Sequence, residues 1–153
     1  MVNAVPEGYP TVSAYLICDG AAAAIDFYAT VLGAKERVRM DGPGGTVGHA
    51  EIDIGDSLVM LADEDPANDA RGPRTVGGTP VTICVYVPDV DAVVDRAVAN
   101  GATLVRPVED KFYGDRAGMF EDPFGHRWNI ATHTEDVTPE EMGRRMAALM
   151  PEG

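Results

Sequence analysis

In the stretch GHAEIDIGDSLVML, His49 and Glu51 stand two residues apart. Side chains on a strand alternate between its faces, so this spacing sets an imidazole beside a carboxylate. Such a pair can act as a general acid and base, or it can bind a polar group of a ligand. It could also form part of a displaced metal site, although two ligands from one strand hold a metal weakly. The plain structural alternatives are a solvated edge position or ion pairing with Arg37, Arg39 or Arg116. If Gly55-Asp56 is a two-residue hairpin turn, Ile54 pairs with Ser57, and counting back sets Glu51 opposite Met60. His49 and Glu51 then share the polar face, while Ala50, Ile52, Val59 and Leu61 form an apolar face fit to lie under a helix.

The segment FEDPFGHRWNIATH contains the other two histidines and the single tryptophan. Alternation puts Arg127 and Asn129 on one face, with His126, Trp128 and Ile130 on the other. In the strand VTICVYV, residues Val81, Ile83, Val85 and Val87 are expected to pack against a helix, leaving Thr82, Cys84 and Tyr86 on the cavity-facing side that Asn129 shares. Trp128 and Ile130 are then core, His126 has a structural place beside the turn, and His133 is a surface or capping residue. Tyr15 and Tyr86 take equivalent places in the two halves of the chain, where aromatic faces could flank a flat ligand or simply pack. Arg116 and Phe120 are expected on the same ligand-facing side. Tyr113 and Asp115 fall in KFYGDRAG, a binding loop or else a turn closed by an Asp–Arg pair.

The elements that must position these residues come twice. TVSAYLICDG reads as a strand ending at a helix capped by Asp19. GAAAAIDFYATVLG repeats apolar residues at helical spacing and stops at Gly33. AKERVRM and the hairpin HAEIDIGDSLVML complete a β-α-β-β-β order. VTICVYV, the Asp89-capped helix PDVDAVVDRAVANG, ATLVRPV and the hairpin RAGMFEDPFGHRWNIAT repeat it. Adding 69 carries Ser13 to Thr82, Asp26 to Asp95, Asp53 to Asp122 and Met60 to Asn129, and the helix-ending Gly33 and Gly101 differ by 68. Neither copy could bury its sheet alone, which predicts an α+β fold of two mixed sheets paired about a pseudo-two-fold axis, with a cavity between the modules. The expected bounds are one domain over 1–153, with modules at 11–64 and 80–133 and a linker at 65–79. A C-terminal helix at 138–150 follows, begun by a Thr138/Glu141 capping box with Pro139 at its first position and carrying Met142, Met146 and Leu149 on one face.

With 153 residues, 45% apolar and 24% charged, the chain is long enough for a single core. A formal charge of −13 with only 12 Lys and Arg, spread along the chain, argues against a nucleic-acid partner, since phosphate binding needs a Lys/Arg surface. No apolar run reaches the roughly 20 residues that span a bilayer, and MVNAVPEGYP lacks the build of a signal peptide, so a cytoplasmic protein without a membrane partner is expected. Cys18 and Cys84 fall within strands, away from any Cys/His cluster, and read as buried thiols.

The paired modules, AIDFYATVLGA after the first strand and the closing EDPFGHRWNI resemble the vicinal oxygen chelate superfamily, which includes glyoxalase I, extradiol dioxygenases and bleomycin resistance proteins. GHAEIDIGDSLVMLADE, YGDRAGMFEDPFGHRWNIATH and VTPEEMGRRM are most similar to its PhnB-like branch. The resemblance implies a homodimer. It also implies a divalent metal held by His, Glu or Gln at four positions, which here fall on Ser13, Met60, Thr82 and Asn129. Hydroxyls, a thioether and a neutral amide make a poor ligand set, so no metal or other cofactor is expected. The function expected is binding of a small organic molecule in the inter-module cavity, as in bleomycin-type sequestering proteins, through Ser13, Tyr15, Met60, Thr82, Tyr86, Tyr113, Arg116, Phe120 and Asn129. The alternative is a lyase, isomerase or oxygenase of the same fold using His49 and Glu51; the sequence leaves open whether chemistry follows binding.

Overall fold

The computed structural model describes residues 1–152. Its elements run β1 (Ala14–Cys18), α1 (Ala21–Leu32), β2 (Lys35–Asp41), β3 (Val47–Ile54), β4 (Ser57–Asp63), the single turn α2 (Pro73–Val76), β5 (Thr82–Tyr86), α3 (Val90–Ala99), β6 (Thr103–Asp110), β7 (Asp115–Glu121), β8 (Arg127–His133) and α4 (Pro139–Leu149). They form two four-stranded mixed sheets, ordered β1-β4-β3-β2 and β5-β8-β7-β6, so the duplicated β-α-β-β-β order and the α+β class hold. The chain divides into two compact units, one of residues 1–80 with the turn 123–126, the other of 81–122 with the residues from Arg127 onward.

In the first unit, β1 runs parallel to β4 and the remaining pairs are antiparallel. The Ile54–Ser57 pair closes the hairpin at Gly55, whose φ of 59° lies in the left-handed region that a glycine enters without strain. The register follows: Glu51 opposes Met60, Met60 neighbours Tyr15, and Ala50, Ile52, Val59 and Leu61 are buried with Leu16 and Cys18 on the other face. Helix α1 covers that apolar face with Ala21, Ala24, Ile25, Phe27, Tyr28 and Val31. Its cap departs from expectation. Asp19 plays no part: the N-cap is Gly20, and the first helical amides are satisfied from β4, where Asp63 Oδ1 accepts Gly20 N at 3.0 Å and Ala21 N at 2.8 Å. Asp63 Oδ2 also accepts Val47 N at 2.7 Å, so one carboxylate pins the start of α1 and of β3. The expected linker is structured, with Pro66–Asn68 in a 3-10 turn and Glu64 accepting Gly72 N at 2.8 Å.

In the second unit, Asp89 caps α3 by accepting Ala92 N at 3.1 Å, and Val90, Val93, Val94 and Ala97 turn inward. Trp128, Ile130 and Phe120 are fully buried, and the Trp128 indole donates to the buried Asp122 carboxylate at 2.8 Å. Cys84 is exposed, against expectation, because its face of β5 carries no helix, whereas Cys18 is buried. Helix α4 begins as expected at Thr138, whose hydroxyl accepts Glu141 N at 3.2 Å, but the Glu141 carboxylate turns to Arg144 and Arg145. None of its side chains is buried; Met146 and Leu149 stay exposed. Among the described residues no helix is long and apolar enough to cross a membrane.

Candidate functional site

The face of the first sheet turned away from α1 carries a continuous hydrogen-bonded chain. The Tyr15 hydroxyl lies 2.8 Å from His49 Nδ1, His49 Nε2 lies 2.9 Å from Glu51 Oε2, and the Tyr9 hydroxyl donates to Glu51 Oε1 at 2.6 Å. Tyr9 comes from the segment before β1 and is held there by Arg37, whose guanidinium stands 5.3 Å over its ring, donates to Gly8 O and grips Asp53 at 2.8 Å. Glu51 is only 6% exposed, and donation from His49 and then Tyr9 holds its carboxyl below the usual range against the cost of burial. An ionised Glu51 requires His49 Nε2 to be the donor, which leaves Nδ1 to accept from Tyr15 whenever the ring is neutral. Burial, and then the Glu51 charge, push the Tyr15 phenol up. The assembly is a hydroxyl, an imidazole and a carboxylate in series, able to pass a proton along one direction, with half-exposed Tyr15 as its outer end.

His49 and Glu51 therefore come together as anticipated, but their partners are tyrosines rather than arginines. Tyr9 lies in an aperiodic N-terminal stretch, and its only sequence signal is an aromatic residue among prolines and a glycine.

In the second unit, the sheet face opposite α3 borders an open cavity of about 700 Å³ lined by Arg106, Glu109, Asp110, Lys111, Phe112, Tyr113, Ala117, Gly118, Asn129 and Leu149. Tyr113 and Asn129 stand in its wall, and the Phe112 and Tyr113 rings meet edge to face at 5.3 Å. Thr82, Cys84 and Tyr86 share one exposed side of β5. Tyr86 is not the counterpart of Tyr15: Met60 neighbours Tyr15, but Asn129 neighbours Cys84. Tyr86 instead donates to the buried Asp115 at 2.8 Å, which raises its phenol, and Asp115 also bonds His133 Nδ1 at 2.8 Å. His133 Nε2 reaches Asp136 at 2.7 Å, and Asp136 then Asp115 hold the imidazole above its ordinary value.

Arg116 and Phe120 do not face this cavity. The ladder sets Phe120 opposite Trp128 and Arg116 opposite Thr132, on the helix side. Arg116 there grips Asp91 of α3 at 2.8 Å and Asp110 at 3.2 Å, and Phe120 is core. The five-residue connection 122–126 decides this parity, and its length cannot be read from the turn signal. His126, in that turn, has its Nε2 2.8 Å from Ile17 O, a structural role as expected.

The four positions at which the resemblance implies a metal do not suit one. Met60 contributes a thioether beside Glu51, and Ser13, Thr82 and Asn129 add neutral oxygens without a carboxylate in the set. Among the described residues no cluster of three or more His, Cys, Asp or Glu side chains is disposed to hold a metal ion.

Residues 11–130 match the family model described as the Glyoxalase/Bleomycin resistance protein/Dioxygenase superfamily. The uncharacterized proteins Mb0911c of Mycobacterium bovis and Rv0887c of Mycobacterium tuberculosis are each 42% identical over 142 residues, covering 91% of this chain and 93% and 84% of theirs. Among solved structures, TioX from Micromonospora sp. ML1 is 28% identical with a TM-score of 0.64, covering 81% of this chain and 98% of its own. A PhnB protein from Bacillus cereus shares the fold with a TM-score of 0.62 at 20% identity, over 80% of this chain and 99% of its own.

Proposed function

The chain belongs to the glyoxalase/bleomycin resistance protein/dioxygenase superfamily, and within it we propose that it binds a small organic molecule without the divalent metal of the family's enzymes. The observation that carries this reading is the cavity of about 700 Å³ in the second unit. Its volume falls in the range of small-molecule sites, and it combines aromatic and apolar surface from Phe112, Tyr113 and Leu149 with the Asn129 amide. A fragment screen followed by amide NMR tests it: binders should perturb Tyr113, Ala117 and Asn129, and a screen leaving those amides unmoved would overturn the proposal.

The hydrogen-bonded chain Tyr15–His49–Glu51–Tyr9 favours a second reading, an enzyme using His49 as base and Glu51 as its orienting partner. In that case His49→Gln abolishes ligand turnover. Under the binding reading it leaves cavity affinity within about twofold, since His49 does not line the cavity. The homodimer implied by family resemblance is supported by the exposed Met146 and Met150 at the end of α4, and light scattering at a mass of two chains tests it.

A further inference from the structure

Strand β6 is one edge of the second sheet, and its pairing with β7 slips twice, between Leu104 and Arg106 and again between Arg106 and Glu109. Each slip inserts one residue into β6. Without the first, the register of Leu104 with Phe120 would carry Arg106 to Gly118, on the side of Trp128 and Ile130. With it, Arg106 opposes Met119, whose other neighbour is Asn129, and so turns to the cavity side. Bulges commonly re-aim one side chain in this way beside functional sites.

The first unit makes the same slip in the same place, between Glu36 and Val38, so that Val38 opposes Glu51 as Arg106 opposes Met119. The bulge therefore belongs to the repeated fold, but the arginine does not: the first unit is built with valine there. Among the described residues no hydrogen bond or ion pair is made by the Arg106 guanidinium, while the other charges lining the cavity are matched, Lys111 with Glu109 and Asp110 with Arg116. A fork of donors is thus presented to the cavity beside the Phe112 and Tyr113 rings.

We infer that the ligand of this cavity carries a carboxylate or like anionic group, which Arg106 receives, on a flat apolar body that lies against Phe112 and Tyr113. This rests on the binding reading above and specifies its ligand class. A chain of net charge −13 disfavours anions in general, so a preference for an anion over its neutral isostere can come only from a local site.

The test is titration of 2-naphthoate and of the neutral 2-naphthamide into the full chain, followed at the amides of Tyr113, Ala117 and Asn129. The expected result is that both bind at these amides, naphthoate about tenfold or more tightly, as a charge-assisted bidentate contact provides. Arg106→Gln should erase the preference, bringing naphthoate affinity down to that of naphthamide. Arg106→Val, the residue that the first unit carries, should do the same and guards against a folding defect in the first variant. Equal affinity of the two probes for the wild-type chain would overturn the anionic inference and leave the binding reading standing. A preference that survives both substitutions would overturn the role of Arg106. Failure of both probes to move these amides would overturn the inference together with the reading beneath it.

Discussion

Replacing Glu51 with Gln keeps the shape of the side chain and removes the charge on which the Tyr9 and His49 hydrogen bonds converge. Glu51 is 6% exposed, and it accepts at 2.6 Å from Tyr9 and at 2.9 Å from His49. The amide of Gln can accept at one end only, so one of the two donors loses its acceptor. A hydrogen bond to a charged group contributes about 1.5–3 kcal/mol, and near burial limits solvent screening of the loss. The expected destabilisation at pH 7 is therefore about 2 kcal/mol. Its pH dependence has a definite sign. The folded carboxyl lies below its ordinary value of 4.5, so the ionised form stabilises the fold above that pH, and the contribution disappears as pH falls through the lower folded value. Urea denaturation of both proteins at pH 7, 5 and 3.5 reads this directly: the gap between them should be widest at pH 7 and should narrow at pH 3.5. A gap that is absent at pH 7, or constant across the series, would refute the argument that an ionised Glu51 anchors the chain of donors.

Three other perturbations test separate parts of the structure. Gly114→Ala places a Cβ 2.2 Å from Glu135 O at a φ of +97°, and it disturbs the carbonyl that accepts from Thr134 N and Glu135 N, so a loss of about 2–4 kcal/mol and faster amide exchange at Thr134 and Glu135 are expected. The His133 imidazole should titrate above 6.5 by NMR and fall in Asp136→Asn; because its folded value is raised, its stabilising effect is complete below 6.5 and is lost as pH rises through the folded value. A thiol reagent should label Cys84 in the native protein and Cys18 only on unfolding, with equal rates at both sites contradicting the assigned faces.

What the sequence discloses depends on how local its cause is. The hairpin at Gly55 fixes its own register because a two-residue turn leaves no freedom in the count, so Glu51 opposite Met60, and His49 beside it, were legible. The offset of 69 disclosed the duplicated order for the same reason, each copy repeating its own strand, helix and hairpin signals. The cap of α1 was not legible: Asp63, which satisfies Ala21 N, lies 42 residues away, whereas the local capping rule selects Asp19. Tyr9 meets Glu51 across the same separation of 42, from a stretch without periodicity. Arg116 and Phe120 lie on the face opposite to the one expected because one residue more or less in the connection 122–126 inverts every side chain on β7. The slip in β6 that turns Arg106 toward the cavity carries no sequence signature apart from its echo between Glu36 and Val38 in β2.

The central claim, that this family member binds an organic molecule and does without the metal, is tested most directly by dialysing chelator-treated protein against Zn²⁺, Mn²⁺ and Ni²⁺ and measuring retained metal by elemental analysis. The donor set at Ser13, Met60, Thr82 and Asn129 predicts retention far below one ion per chain. Retention of one ion per chain, lost in His49→Gln or Glu51→Gln, would contradict the claim and make that pair the core of a metal centre.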